Sequence, residues 1–295
     1  LRITNKAGLP EPLVKAVRND TYDRGDADFT VTELLQPPRA HALIHRHADE
    51  IETDASELIY ALCGQIGHLI LERAGDSNMV EKRLSQSIYC GSSYGSFVVS
   101  GRADLWSQVD SAGADGSRTT LVDYKFCSIW TVRDGVSPDW AAQINMLAWL
   151  ARSNHIEIDH AEIVAIFRDW SKPKARRERD YPPCQVQLLP VELWEDQEVG
   201  HFIVRRIQTM IDAERHLPLC TDEERWASPE VWAVYKGNSK RAYKLCDTER
   251  QAAAVAKEIG GWMQLRPKQY KRCEDYCYAA PFCEQFQAEK GEESF

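Results

Sequence analysis

Two short stretches, Gly101-Arg102-Ala103-Asp104 and Leu121-Val122-Asp123-Tyr124-Lys125-Phe126, carry the densest information in the chain. Both sit in β-branched and aromatic sequence, bounded by the Gly/Ser clusters GSSYGS (91–96) and SAGADGS (111–117), which predicts strands over Ser87–Cys90, Ser96–Trp106 and Thr119–Phe126. Side chains alternate along a strand, so Asp123 and Lys125 share one face and Val122, Tyr124 and Phe126 the other. A connection around Asp110–Arg118 is long enough to fold the strands antiparallel and bring Asp104 beside Asp123. Two carboxylates and an ammonium at one strand end can hold a divalent cation and position a water, the needs of phosphodiester hydrolysis. The bland reading, a solvated Asp–Lys pair worth at most about 1 kcal/mol, fits poorly with such apolar flanks.

Upstream, Ile51, Leu58, Ile59, Leu62, Ile66, Leu69 and Ile70 form a helical stripe, which predicts a helix over about Asp49–Ala74 with Asp54 and Glu57 as a capping pair. It carries Gly64-Gln65-Ile66-Gly67-His68, with Glu72 one turn beyond His68. Each glycine costs about 1 kcal/mol of helix propensity, which points to close approach of a strand or ligand. A short capped helix is expected at Thr30–Leu35. Downstream, a helix over Pro138–Arg152, a buried strand over His160–Phe167, a short strand at Gln185–Leu189 and a helix over Val191–Arg215 complete an α/β pattern with a mixed sheet. A further helix is expected near Thr248–Ile259.

The order of these features resembles the PD-(D/E)XK nuclease superfamily, particularly its RecB-like and phage-exonuclease branch. The matching motifs are GxxxH at Gly64–His68, GxxD at Gly101–Asp104, DxK at Asp123–Lys125 and a helical glutamine, Gln143. The resemblance covers about residues 30–170 and extends to the cysteine tail. It implies a restriction-endonuclease-like fold, a mixed central sheet flanked by helices. It also implies Mg²⁺ or Mn²⁺ held by His68, Asp104, Asp123 and the backbone carbonyl of Tyr124. Asp104, Asp123, Lys125 and Gln143 would then be the catalytic set, with Lys125 steadying water and Gln143 supporting it. The RecB-like pattern places a tyrosine four residues after the glutamine, where this chain has Leu147.

Nine cysteines are spread unevenly. Cys273, Cys277 and Cys283 crowd the tail, and Cys220, opening the same subdomain, is the expected fourth member. Four thiolates suit Zn²⁺ or an iron–sulfur cluster. The C-x3-C-x5-C spacing with one remote cysteine is similar to iron–sulfur nucleases of the RecB-like and CRISPR-associated groups, which implies a structural [4Fe–4S] cluster, with zinc the less favoured occupant. Cys63, Cys90, Cys127, Cys184 and Cys246 read as lone structural residues.

Composition bounds the rest. The chain has 295 residues, with 36 Lys+Arg against 45 Asp+Glu and a net charge of −9. Such a charge argues against coating nucleic acid in bulk, but leaves room for a local basic groove. Cations bunch at 172–179, 236–244 and 266–272, interleaved with Tyr243 and Tyr270. Lys172, Lys174, Arg176, Arg177, Lys240 and Arg241 are the candidate DNA contacts, the aromatics suiting single-stranded or frayed ends. No apolar run approaches the roughly 18 residues of a membrane span, and LRITNKAGLPEP has no signal-peptide character, so a cytoplasmic protein without a membrane partner is expected. Three parts are expected: an N-terminal segment (1–40), a nuclease core (41–216) and an iron–sulfur subdomain (217–295). The function expected is a metal-dependent deoxyribonuclease, an exonuclease of recombination, repair or phage DNA metabolism. The alternative is a non-catalytic nucleic-acid-binding adaptor.

Overall fold

A computed structural model describes residues 2–19, 24–74, 80–110 and 117–292, so most of the Asp110–Arg118 connection (111–116) lies outside the described residues. In chain order the elements begin with β1 (Arg2–Thr4), α1 (Glu11–Arg18), β2 (Phe29–Thr30), α2 (Val31–Leu34) and α3 (Pro38–Arg46). Then come β3 (Glu52–Asp54), α4 (Ile59–Ala74), β4 (Val80–Tyr89), β5 (Ser96–Asp110) and β6 (Ser117–Cys127). Next are α5 (Pro138–Ser153), β7 (His160–Phe167), α6 (Lys172–Ala175), β8 (Val186–Val191) and α7 (Asp196–Arg215). The remainder holds β9 (Ala227–Ser228), β10 (Val231–Tyr235), β11 (Lys244–Cys246), α8 (Glu249–Ile259), β12 (Trp262–Arg266), β13 (Gln269–Tyr270), α9 (Lys271–Asp275) and α10 (Glu284–Glu292).

The chain divides into two units, Leu1–Gln36 with Glu52–His216, and Pro37–Ile51 with Leu217–Phe295. In the first unit a mixed six-stranded sheet runs β2-β5-β6-β7-β8, with β4 paired to β5. The β4–β5, β5–β6 and β7–β8 ladders are antiparallel, whereas β6–β7 and β2–β5 are parallel. Helices flank it: Ile144 and Leu150 of α5 and Ile203 and Ile207 of α7 bury fully in one core with Leu121, Ile163 and Phe167 of the sheet. β7 needs little explanation. In HAEIVAIF every second residue, Ala161, Ile163, Ala165 and Phe167, falls on one fully buried face. Among the described residues no helix is long and apolar enough to cross a membrane.

Three expectations need correction. First, α4 starts at Ile59 rather than near Asp49, because Asp54 accepts from the Ser56 N–H and caps a separate 3-10 turn, Ala55–Leu58. Glu57 accepts instead from Thr53 Oγ1, and Ile66, Leu69 and Ile70 remain substantially exposed. Second, Val191 ends β8, so α7 begins only at Asp196. Third, the segment 41–51, expected in the core, belongs with the cysteine-rich unit along with the rest of 37–51. The reason is packing: Leu43 of α3 buries against Ala279, Cys283 and Phe286, and His47 stacks on Phe282 at 4.1 Å.

In the second unit, β11-β10-β12 forms a three-stranded antiparallel sheet against α8, through Val234, Cys246, Ala252 and Ala256.

Candidate active site and cysteine centre

The β5–β6 ladder ends with Leu105 opposite Val122, and Asp104 and Asp123 lie just beyond that last pair. There Asp104 Oδ2 accepts from the Tyr124 N–H at 2.7 Å. Its other oxygen lies 3.2 Å from Nδ1 of His68 on α4. Lys125 Nζ lies 2.6 Å from Asp123 Oδ2 and donates to Gln143 Oε1 at 2.8 Å. Gln143 stands in the second turn of α5, whose start is set by Ser137 accepting from the Trp140 N–H. Gly67 explains how α4 comes near enough for His68 to reach Asp104. A Cβ there would lie 2.1 Å from the Phe126 ring, whereas one at Gly64 would meet nothing within 4 Å. Only one of the two glycines therefore marks a close approach. Leu147, at the position of the pattern's tyrosine, packs over Gly101, where an added Cβ would fall 2.5 Å from it.

His68, Asp104, Asp123, Lys125 and Gln143 line one open cavity of about 470 Å³, together with Gln65, Glu72 and Arg102. Tyr124 does not line it; its described contribution is the N–H held by Asp104. Arg102, a site residue that the motifs do not mark, lies two residues from Asp104 and so on the same strand face. Its guanidinium is 3.7 Å from Glu72. Asp123 is only 5% exposed. Burial pushes its pKa up; Lys125 opposes that and the nearby Asp104 carboxylate reinforces it. The donor atoms of His68, Asp104 and Asp123 do not all fall within 4.8 Å of one another. The donor set, imidazole with two carboxylates in a cleft, nonetheless fits a hard divalent cation. Cys127, following the DxK strand, is buried and its thiol is pushed up to about 11, which leaves it neutral and a poor nucleophile at neutral pH.

In the second unit, Cys220, Cys273, Cys277 and Cys283 line a single small cavity of about 20 Å³. The Gln285 side chain clamps the Cys220 backbone, accepting from its N–H at 2.9 Å and donating to its carbonyl at 3.0 Å. Burial, then Glu224 and the other three cysteines, pushes the Cys220 thiol up to about 12. Cys277 is raised too, chiefly by burial. No three of the four sulfurs fall within 4.8 Å of one another. Two buried guanidiniums face them: Arg39 Nε donates to Cys283 Sγ at 3.2 Å and Arg225 Nε to Cys273 Sγ at 3.5 Å. Four sulfurs with N–H donors aimed at two of them fit a thiolate-bound metal centre. Of the remaining cysteines, Cys90, Cys127 and Cys246 are buried, but Cys63 and Cys184 are exposed and have no core role.

The expected DNA contacts fall in different places. Lys172 and Lys174 lie on α6 with Arg176 and Arg177 just after it, all exposed, while Lys240 and Arg241 are exposed in the second unit. None of the six lines the active-site cavity. Tyr270 is engaged by its own unit, with the Arg225 guanidinium 3.3 Å over its ring and Lys268 at 5.3 Å, but Tyr243 is exposed.

No protein-family model matches the chain. No curated protein matches it either. Among solved structures it is similar to the crystal structure of SSO0001, at 17% identity and a TM-score of 0.47, over 67% of this chain and 84% of that one. At that level neither a site nor an activity passes from one protein to the other.

Proposed function

We propose that the chain is a metal-dependent deoxyribonuclease with a restriction-endonuclease-like core of the RecB-like branch. The observation that carries this reading is the convergence of His68, Asp104, Asp123, Lys125 and Gln143 on one cavity from α4, β5, β6 and α5. His68, Asp104 and Asp123, with the Tyr124 carbonyl, would hold Mg²⁺ or Mn²⁺. When bound, that cation neutralises charge on the scissile phosphate and lowers the pKa of water. Lys125 is held between two acceptors, Asp123 and Gln143, which aims its ammonium into the cleft. There it orients the attacking water and counters the charge that builds on the phosphoryl oxygens. The water oxygen bonds to phosphorus as the bridging P–O bond breaks. The water loses a proton and the departing alkoxide gains one. Gln143 accepts from the same ammonium and fixes its position beside Asp123.

The substrate in this reading is DNA, approached through the exposed cations around α6 and near Lys240, and the enzyme is an exonuclease acting on ends in the cytoplasm. Cys220, Cys273, Cys277 and Cys283 would hold a [4Fe–4S] cluster that ties the second unit together. The C-x3-C-x5-C pattern with one remote cysteine supports this over zinc, because the C-x2-C spacing of zinc ribbons is absent from it.

The test is cleavage of end-labelled linear DNA against closed circular DNA in Mn²⁺, with wild type, Asp123→Ala and Lys125→Ala. Wild type should degrade the linear form alone, and each variant should lose about a hundredfold or more. Undiminished cleavage by both variants would refute the assignment.

A further inference from the structure

We infer that Arg39 is the counter-cation of the four-cysteine centre and that loading of this centre holds α3 onto its unit. The inference rests on the reading that the four cysteines hold a metal centre. Arg39 is 5% exposed, and arginine is rarely buried so fully without a partner of opposite charge. Its hydrogen bonds go to Cys283 Sγ at 3.2 Å and to the Pro218 carbonyl at 3.3 Å. No carboxylate among the described residues lies within 4.0 Å of it.

Arg225 supplies the contrast. It is equally buried and also donates to a cysteine sulfur, Sγ of Cys273, but Glu289 grips it with both carboxylate oxygens. Its charge is met within the protein.

For Arg39 the sulfurs are what remains. Ligating cysteines are thiolates, so four of them around Zn²⁺ or a [4Fe–4S]²⁺ core carry −4 + 2, about −2 in all. A guanidinium N–H on such a sulfur is a charge-assisted hydrogen bond. With the centre empty, the same N–H faces a weak thiol acceptor, and a buried cation stands uncompensated. The strain falls on α3, which reaches the cavity across 244 residues of sequence. Leu43 and Ile44, packed with Ala279, Cys283 and Phe286, and His47, stacked on Phe282, are apolar contacts that hold that segment without the charge.

The test uses the full chain, prepared without air. Iron and zinc are quantified, and amide hydrogen exchange is followed over residues 38–51 before and after metal stripping by a chelator. Stripping should speed exchange across α3 on the order of tenfold while β6 and β7 stay unchanged. Arg39→Met should lose metal to the chelator on the order of tenfold faster than wild type, and Arg39→Lys, which keeps the charge, should fall between. A wild type that holds and regains neither iron nor zinc overturns the metal-centre reading itself, and this inference with it. A wild type that holds metal but shows the same α3 exchange when stripped overturns the Arg39 inference alone. That comparison needs no variant to fold.

Discussion

Gly64 and Gly67 sit three residues apart on α4, and one added methyl separates their roles. Alanine at 64 meets nothing within 4 Å, so Gly64→Ala should raise stability by roughly 0.5–1 kcal/mol through helix propensity. Alanine at 67 would strike the Phe126 ring, and overpacking of this kind costs about 1–3 kcal/mol, enough to outweigh the propensity gained. Thermal denaturation should show Tm rising in the first variant and falling in the second, with Phe126→Leu restoring part of the loss. Equal shifts in the two would mean that α4 does not press on β6. The sequence signalled glycine in a helix, but which glycine faces a strand depends on rotation about the helix axis, and that is set by packing. Arg102 was hidden for a different reason: it was in view beside Asp104, but nothing in its spacing tells a cleft cation from a surface one.

At the level of elements, the strands and helices with strong local signals were legible. β7 occupies His160–Phe167 as expected, and α5 begins at the expected Pro138 behind a serine cap. The start of α4 was not, because the apolar stripe runs unbroken through Ile51 while the hydrogen bonds of Asp54 interrupt the helix. Those bonds have a pH consequence. Asp54 accepts from Ser56 Oγ, which has the largest effect, then from the Lys6 N–H and the Ser56 N–H, and its carboxyl lies well below the usual range. A folded-state pKa below the unfolded value means that the stabilising contribution is full above the ordinary Asp pKa of 3.8 and fades as pH falls toward the folded value. Protection from exchange at residues 2–6 and 52–58, measured against the intrinsic amide rate at each pH, should therefore fall on acidification below about pH 4, the β1–β3 pairing loosening first. Asp54→Asn should remove this acid dependence of β1–β3, and an unchanged profile in that variant would place its origin elsewhere.

On the scale of the whole molecule, a net charge of −9 and an anionic partner are compatible only if cations are gathered locally. Replacing Lys172, Lys174, Arg176 and Arg177 together by alanine should weaken DNA binding and flatten the plot of log affinity against log salt by about three to four. A slope equal to wild type would remove α6 and its flank from the interface. The membership of 37–51 in the cysteine-rich unit was invisible in sequence, since a boundary between units is a property of contacts, whereas the shift in composition after Leu217 could be read directly. That discontinuous unit also has a history in time. During synthesis α3 is complete 171 residues (217 − 46) before Leu217 is added. Its packing partners Ala279, Cys283 and Phe286 follow 62–69 residues later still, so at roughly 5–20 residues per second it waits some 12–48 s for them. The amphipathic segment carrying Leu43 and Arg39 is therefore an early-made, late-satisfied piece. It is open to chaperones and proteases in the interval, and no clone that starts after β3 can make the second unit whole.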